Sequence, residues 1–367
     1  MSTIRFIHAD HLRLAASPAG IADAPAWLKQ LACDSVRSAV RNVVEAAVAQ
    51  DADFLLIAGR ITESTDDLES VARWLDAQFE TLRRRGIRIV AMAENSREAE
   101  VLGRICSVVV RSGECLHVAA DVNDSWQLTT SADFNYAQSD LVISFNSGRA
   151  AVGRTIYTAL PSMQPSAERN RNSLDGYPGL SAGAVQAITP AETWSGGCIV
   201  IDADVTSREI KSQFLPCDVL RYATEELCLT SPASVESLAL EIARASESLR
   251  KVDSPTVIID WRVSAELVAE LSDVLRLDEL SLLLRLRGEL QSGHFGTWPR
   301  RVSFSHSSRL KLMTQGSEAV DEFVDVASES VITYDLDRYA DRSSVIRAGK
   351  GVDASLVAGL QLLGRVA

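Results

Sequence analysis

Residues 1–110 alternate short apolar runs of strand length with longer segments of helical periodicity. The continuous run Phe54–Ala58 suits a strand that is covered on both faces, and a second such run follows at Ile87–Met92. Between Val36 and Val48 the apolar residues recur at the spacing of one helix face. This order predicts consecutive βαβ units, and therefore a parallel sheet with right-handed crossovers.

The pattern changes after residue 111, where strand-like runs follow one another without helices between them. These runs are predicted at 116–119, 126–129, 141–145, 198–202 and 209–215. The segment 146–196 between them is long and rich in proline, which is typical of functional or irregular connections.

The C-terminal part again alternates helices and strands, which predicts a smaller α+β domain. Its expected elements are helices at 234–251, 265–276 and 317–327 and strands at 256–263 and 282–286. We therefore divide the chain into a core domain, residues 1–222, and an accessory domain, residues 223–367.

Composition and charge exclude several classes of protein. The chain has 49 acidic and 37 basic residues and a net charge of −12, so bulk charge alone cannot attract nucleic acid. No run approaches the ~18 apolar residues of a membrane span, and the N-terminus lacks the features of a secretory signal. The six cysteines show no C-x-x-C spacing, so we expect reduced thiols in a cytoplasmic protein without a membrane association.

Polar and charged residues follow each of the first three predicted strands. The segments are FIHADHLRL after the first strand, LIAGR after the second and AENSR after the third. The carboxyl ends of parallel strands meet at one edge of a sheet, so these loops are expected to line a single crevice.

The three segments resemble the motifs of the calcineurin-like metallophosphoesterases, in particular the bacterial DNA-repair exonuclease branch of SbcD/YhaO type. That family shows D-x-H, GD and GNH[DE] after successive strands, and its ligands hold two divalent metal ions, manganese in active relatives. Later segments are similar as well, namely Gly176–Gly179, Glu192, Gly196–Asp202 and Phe214–Arg221. The resemblance implies a four-layer αββα sandwich core, of α/β class, with a smaller C-terminal α+β cap domain.

The metal-binding positions of the family are degenerate in this chain. The family's first aspartate and histidine fall on His11 and Arg13, its second aspartate on Arg60, and its Asn-His-acid sequence on Asn95, Ser96 and Arg97. A register shifted by one would keep Asp10 as the aspartate but put Leu12 in place of the histidine. Only Asn95 is retained in both registers, and no histidine lies between His117 and His294, where the last ligands are expected. We therefore expect no bound metal cofactor and no catalytic residue.

Two interpretations of the substituted residues remain open. Arg13, Arg60 and Arg97 would convert a cation site into an anion site that accepts a phosphate group. Alternatively, these arginines pair with local carboxylates such as Asp10, Glu63 and Glu94, and Asn95 is a turn or N-cap residue.

These observations favour a catalytically inactive homologue of a repair exonuclease with a structural, regulatory or anion- or nucleic-acid-binding role. The alternative is a metal-dependent nuclease or phosphodiesterase with an atypical or relocated metal site. The resemblance also implies an SMC-like ATPase of SbcC/YhaN type as a partner, and a homodimer. Binding of DNA or nucleotides would then depend on a local basic patch.

Overall fold

The computed structural model describes the secondary structure of most of the first 230 residues and of parts of the C-terminal region. The described residues are 3–120, 126–132, 139–145, 155–159, 162, 164–165, 179–229, 235–249, 255–265, 279–291 and 296–304. By contacts they form two compact units, the first comprising Met1–Ala223, Arg250–Ile258 and Phe295–Arg300. The division at 222 and the assignment of residues 223–367 to a cap stay predictions.

A six-stranded sheet forms the centre of the first unit. Its strands are β1 (Thr3–Asp10), β2 (Phe54–Ala58), β3 (Arg88–Ala93), β4 (Val108–Arg111), β10 (Gly197–Asp204) and β11 (Ile210–Pro216), in the spatial order β11-β10-β1-β2-β3-β4. The first four are parallel neighbours, as the alternation in the sequence predicts, while β10 and β11 continue the sheet in antiparallel pairings.

Three helices connect the parallel strands: α1 (Ala26–Ala49), α2 (Leu68–Arg84) and α3 (Ser96–Leu102). The helix α1 begins earlier than its apolar stripe alone suggested, directly after Pro25, whose fixed φ suits the start of a helix. The helix α2 ends at Arg84, and Gly86 takes up a φ of +76° just beyond it, as is common at the end of a helix.

Alternate residues of the central strands face two separate apolar cores. Ile7, Leu55 and Ile89 pack against the helices, whereas Phe6, Leu56 and Val90 face the other way, toward a five-stranded sheet. The strands of this second sheet are β5 (Cys115–Ala120), β6 (Trp126–Ser131), β7 (Leu141–Ser144), β8 (Thr155–Ala159) and β9 (Gly179–Leu180). Their spatial order is β6-β5-β7-β8-β9.

The described residues of the first unit thus form a helical layer and two packed sheets. This confirms a mixed α/β architecture, whereas the fourth, helical layer of the expected αββα sandwich stays a prediction. The ring of Phe6 joins the two sheets by stacking on Phe54 at 4.7 Å and meeting Tyr157 edge-on at 5.2 Å.

The remaining elements comprise a three-stranded sheet and two helices. The strands β12 (Leu220–Leu229), β13 (Thr256–Ala265) and β14 (Thr297–Phe304) are ordered β12-β13-β14. The helices α4 (Val235–Ser248) and α5 (Glu279–Gln291) contact each other.

One predicted strand in this region is wrong. Residues 282–286 belong to α5, in which Leu282 and Leu286 are buried one turn apart and Leu284 is exposed. The segment contains four leucines and one arginine but no β-branched residue, so helix propensity prevails. The predicted helix at 265–276 begins at a residue that the structure places at the end of β13, and its other residues lie outside the described part of the chain. The predicted helix at 317–327 also lies outside the described residues. No helix among the described residues is both long and apolar enough to cross a membrane.

Candidate functional site

The loops that follow β1 and β2 run side by side at the carboxyl edge of the central sheet. The amide of His11 donates to the carbonyl of Ala58 at 3.0 Å, and the amide of Leu14 donates to the carbonyl of Ile61 at 2.8 Å. The first two motif segments therefore adjoin at this edge, where the parallel topology predicts the crevice.

The backbone of the first loop is unusual at three alternate residues. His11, Arg13 and Ala15 have φ values of +37°, +52° and +71°. Residues other than glycine rarely adopt a positive φ, which costs roughly 1–2 kcal/mol for each residue. The contacts of Arg13 and His11 help to offset this strain.

Arg13 is a buried cation that is paired with two carboxylates. Its Nη1 donates to both carboxylate oxygens of Glu192, at 2.8 and 2.9 Å, and its Nε donates to Glu63 at 2.7 Å. Glu192 also accepts the amide of Ile188 at 2.8 Å, which holds its carboxylate within reach of the guanidinium. Pairing of this kind fixes the side chains in position and neutralises the buried charge.

His11 lies against the turn that follows β2. Its Nδ1 accepts the backbone N–H of Arg60 at 3.2 Å. Gly59, with a φ of +71°, is required here because a Cβ at that position would come within 2.8 Å of the imidazole ring. Burial lowers the pKa of His11, which favours the neutral imidazole that accepts this hydrogen bond.

Arg60 occupies the rim of the crevice and is only loosely paired. Its guanidinium lies 3.8 Å from Glu63 and 3.6 Å from Glu94, and its side chain is 56% exposed. Ion pairs of this length and exposure contribute little to stability.

Asn95 caps the helix α3 through its side chain. The Oδ1 atom accepts the amide of Glu98 at 2.9 Å, and the Glu98 carboxylate accepts the amide of Glu94 at 2.8 Å. This reciprocal arrangement resembles a capping box and satisfies two amides at the start of the helix. Ser96 and Arg97 follow in its first turn with exposed side chains.

A second polar network, which the sequence pattern does not reveal, lies buried beneath the crevice. His8 contacts the hydroxyl of Tyr157 through Nδ1 at 2.6 Å and the carboxylate of Asp10 through Nε2 at 2.7 Å. The other oxygen of Asp10 accepts the Ser181 hydroxyl at 2.9 Å and the Ala182 amide at 2.8 Å. A carboxylate only accepts, so Nε2 donates to Asp10, and in the neutral imidazole Nδ1 then accepts the Tyr157 hydroxyl.

This network links both sheets and is closed to solvent. His8 and Asp10 are 0% exposed, and burial raises the pKa of Tyr157 well above its usual value, so its hydroxyl keeps its proton. Asp10 thereby connects the end of β1 to the segment that begins at Ser181. The only signal in the sequence is a histidine and an aspartate inside an apolar strand, which does not specify partners.

These contacts do not fit a dinuclear metal site. The position of the family's histidine carries a guanidinium, which only donates, and that of its second aspartate carries the cation Arg60. Asp10 directs both oxygens into the buried network, and Nδ1 of His11 accepts an amide. Among the residues that the structure describes, no group of three or more His, Cys, Asp or Glu side chains is arranged to hold a metal ion.

Comparison with known proteins finds similarity to a metallophosphoesterase over a short stretch. The chain is 30% identical over 95 residues to an uncharacterized metallophosphoesterase, YhaO, of Bacillus subtilis (strain 168). The aligned stretch covers 26% of this chain and 23% of that protein, so the chain matches about a quarter of the relative's length. The chain is therefore similar to a metallophosphoesterase over this stretch. No protein-family model matches it.

Among solved structures, TT1561 of Thermus thermophilus aligns with 58% of this chain and 99% of its own. The identity is 9% and the TM-score is 0.28, which is too low to assign a shared fold.

Proposed function

We propose that this protein is a non-catalytic member of the metallophosphoesterase-like proteins. In it, paired side chains occupy the place in the crevice where active relatives bind metal ions. The observation that carries the proposal is the buried pairing of Arg13 with Glu192 and Glu63, with Nη1–Oε1 and Nε–Oε1 distances of 2.8 and 2.7 Å. Arg13 stands at the position of a family ligand and ties the loop after β1 to two other segments of the chain.

The chemistry of this arrangement supports a structural role for the crevice. A metal-dependent hydrolase needs an ion that activates water and neutralises the charge of the phosphodiester. Here a fixed cation is already neutralised by two carboxylates, and the neutral imidazole of His11 is occupied by the amide of Arg60. The engagement of Arg13 and His11 with partners from the protein itself supports a structural rather than a catalytic role.

Hydrolysis assays test this proposal directly. The purified full chain is incubated with manganese and either bis-p-nitrophenyl phosphate or labelled single- and double-stranded DNA, with and without chelator. We expect no chelator-sensitive turnover above that of a variant that carries His11→Ala and Asn95→Ala. Turnover that chelator abolishes in the natural protein and that this variant lacks would establish the alternative, an enzyme with an atypical metal site.

A second role, binding of an anion, is favoured by the exposure of Arg60 and Arg97 at the rim. Because Arg13 is already paired, the anion site predicted from three arginines would consist mainly of these two. We expect Arg60→Ala with Arg97→Ala to weaken binding of a DNA oligonucleotide, while Arg85→Ala, an exposed arginine at the end of α2, leaves it unchanged. Equal binding by all three proteins in a fluorescence-anisotropy titration would exclude this role.

An SMC-like ATPase partner and a homodimer remain proposals that rest on the family resemblance alone. Analytical ultracentrifugation of the purified chain tests the dimer, and co-purification with an ATPase of that class from its own cells tests the partner.

A further inference from the structure

Two buried cysteine thiols lie in contact in the helix-facing core of the first unit. Cys198 belongs to β10 and Cys217 follows the last residue of β11, and their sulfur atoms are 3.6 Å apart. The two residues are 0% and 3% exposed. We propose that Cys198 and Cys217 form a reversible intramolecular disulfide, so that the protein carries a redox-controlled cross-link that the scattered spacing of its cysteines does not reveal.

The strand pairing places the two side chains on the same face of the hairpin. Cys198 lies opposite Leu215, and the amide of Cys217 donates to the carbonyl of Gly196 at 3.0 Å, so the cysteines are diagonal neighbours. The amide of Asp218 donates to the same carbonyl at 3.2 Å, which marks the end of the regular ladder. A disulfide requires the sulfurs to approach to about 2.05 Å, a closure of about 1.5 Å that side-chain rotation and the ladder's end can supply.

The reaction balances with a peroxide as the oxidant. The thiolate of one cysteine attacks a peroxide oxygen and displaces hydroxide, which takes up the proton that the thiol had lost and becomes water, so that a sulfenic acid is left. The second thiol then attacks that sulfur, and its proton leaves with the hydroxyl as a second water molecule. Two thiols are oxidised to one disulfide while the peroxide is reduced to two water molecules, and a dithiol reductant reverses the change.

The environment of the thiols makes this a slow response. The hydrogen bond to Cys217, together with burial, raises the pKa of Cys198 well above its usual value. Little thiolate therefore forms until the hairpin opens locally, and reaction is expected to be slower than at the exposed Cys33. The pair would respond to sustained oxidation rather than to brief exposure.

The cross-link would fix the segment by which the chain leaves the central sheet. The carbonyl of Cys217 accepts a hydrogen bond from Asn42 of α1 at 2.8 Å. Further along the chain, Arg221 pairs with Asp218 at 2.8 Å and donates to Ser195 at 2.6 Å. A disulfide at Cys217 would tie this cluster to β10 covalently, independently of whether the crevice is catalytic.

The test uses the full chain with Cys33, Cys106, Cys115 and Cys228 changed to serine, so that only the proposed pair remains. The protein is treated with hydrogen peroxide in its folded state, and its intact mass and its proteolytic peptides are measured. We expect the loss of two hydrogen atoms per chain, a linked peptide that joins residues 198 and 217, and reversal by dithiothreitol. The melting temperature should rise by about 5 °C or more, because a loop of about 20 residues is closed in the unfolded state.

The matched control carries one further change, Cys198→Ser, and should show neither the mass loss nor the rise in melting temperature. If the serine variant does not fold, the same peptides are mapped in the natural protein after peroxide treatment. The proposal is wrong if Cys198 and Cys217 stay reduced in the folded, peroxide-treated serine variant. In the natural protein it is wrong if the pair stays reduced while Cys33 is fully oxidised, or if Cys198 and Cys217 link to other cysteines.

Discussion

The guanidinium of Arg13 donates to both carboxylate oxygens of Glu192, at 2.8 and 2.9 Å, across 179 residues of sequence. This pair connects the loop after β1 to the segment that leads into β10, and both side chains are at most 10% exposed. In the structure it holds these two distant segments together at the carboxyl edge of the central sheet.

Arg13→Ala should therefore destabilise the protein by about 3 kcal/mol or more, because it leaves the carboxylate of Glu192 buried without its partner. Urea denaturation followed by circular dichroism measures the free energy of unfolding. The matched control is Arg60→Ala, which removes an exposed arginine of the same crevice and should cost less than about 1 kcal/mol. Similar losses for the two variants would contradict the assigned role of the buried pair.

The loss of stability caused by removing Arg13 should be partly recovered when Glu192 is also replaced. In the double variant Arg13→Met with Glu192→Gln, no buried charge of this pair is left without a partner, so we expect a smaller loss than the sum of the single changes. Strict additivity in this double-mutant cycle would show that the two groups do not interact.

His8→Phe should cost about 2–3 kcal/mol, because Asp10 and the hydroxyl of Tyr157 would both lose a partner in a buried site. Tyr157→Phe removes only the terminal hydroxyl and should cost about 1–2 kcal/mol. Since His8 and Tyr157 share one hydrogen bond, the double variant should lose less than the sum. Equal stability of His8→Phe and the natural protein in urea would refute the buried network.

The Asn95 side chain offers a test that separates a helix cap from a metal ligand. Asn95→Ala should lower the free energy of unfolding by about 1 kcal/mol, whereas Asn95→Ser should retain most of it. Ser96→Ala, one position along and exposed, should have little effect. A ligand role would instead appear as a change in manganese affinity with both Asn95 variants and no difference between them in stability.

Gly59 and Gly86 form a matched pair because both have positive φ, at +71° and +76°, while only Gly59 lies against a side chain. Gly86→Ala should cost roughly 1 kcal/mol for the backbone alone. Gly59→Ala should cost more, since its Cβ would lie 2.8 Å from the ring of His11. Adding His11→Ala should remove the additional loss of stability that Gly59→Ala shows over Gly86→Ala. If that additional loss persists, the clash does not involve His11.

The lowered pKa of His11 predicts a pH dependence of stability. Burial depresses its pKa in the folded state below the ordinary value near 6.5, so the unfolded chain binds the proton more readily. The stability that His11 contributes as a neutral imidazole is present above about pH 6.5 and is lost as the pH falls through and below that value. His11→Asn should flatten the curve of unfolding free energy between about pH 5 and 7, and an NMR titration should locate the imidazole pKa below about 6.5. A curve identical to that of the natural protein would mean that His11 titrates normally.

Local pattern was enough to predict much of the core. The run Phe54–Ala58 and the periodic stripe from Val36 to Val48 predicted β2 and most of α1, because burial on both faces or on one face leaves a direct imprint on the sequence. The sequence left Asn95 open to two interpretations, a retained metal ligand or an N-cap residue. The structure shows the cap, because the Asn95 side chain accepts the amide of Glu98, three residues later.

The partners within the crevice could not be predicted in the same way. Glu192 was recognised as part of a similar segment, but nothing local indicates that it would meet Arg13. The network of His8 and Tyr157 joins two sheets through residues 149 apart, and only tertiary packing brings them together. In α5, a run of leucines was mistaken for a strand because short apolar runs do not distinguish the two periods.

The manganese content of the purified protein tests most directly whether paired side chains stand in place of metal ions in the crevice. The purified chain is dialysed against manganese, freed of unbound ions and analysed by inductively coupled plasma mass spectrometry, with His11→Ala as the control. We expect a manganese content far below one ion per chain, and the same content in both proteins. One or more tightly bound ions per chain, lost in the His11→Ala variant, would contradict it.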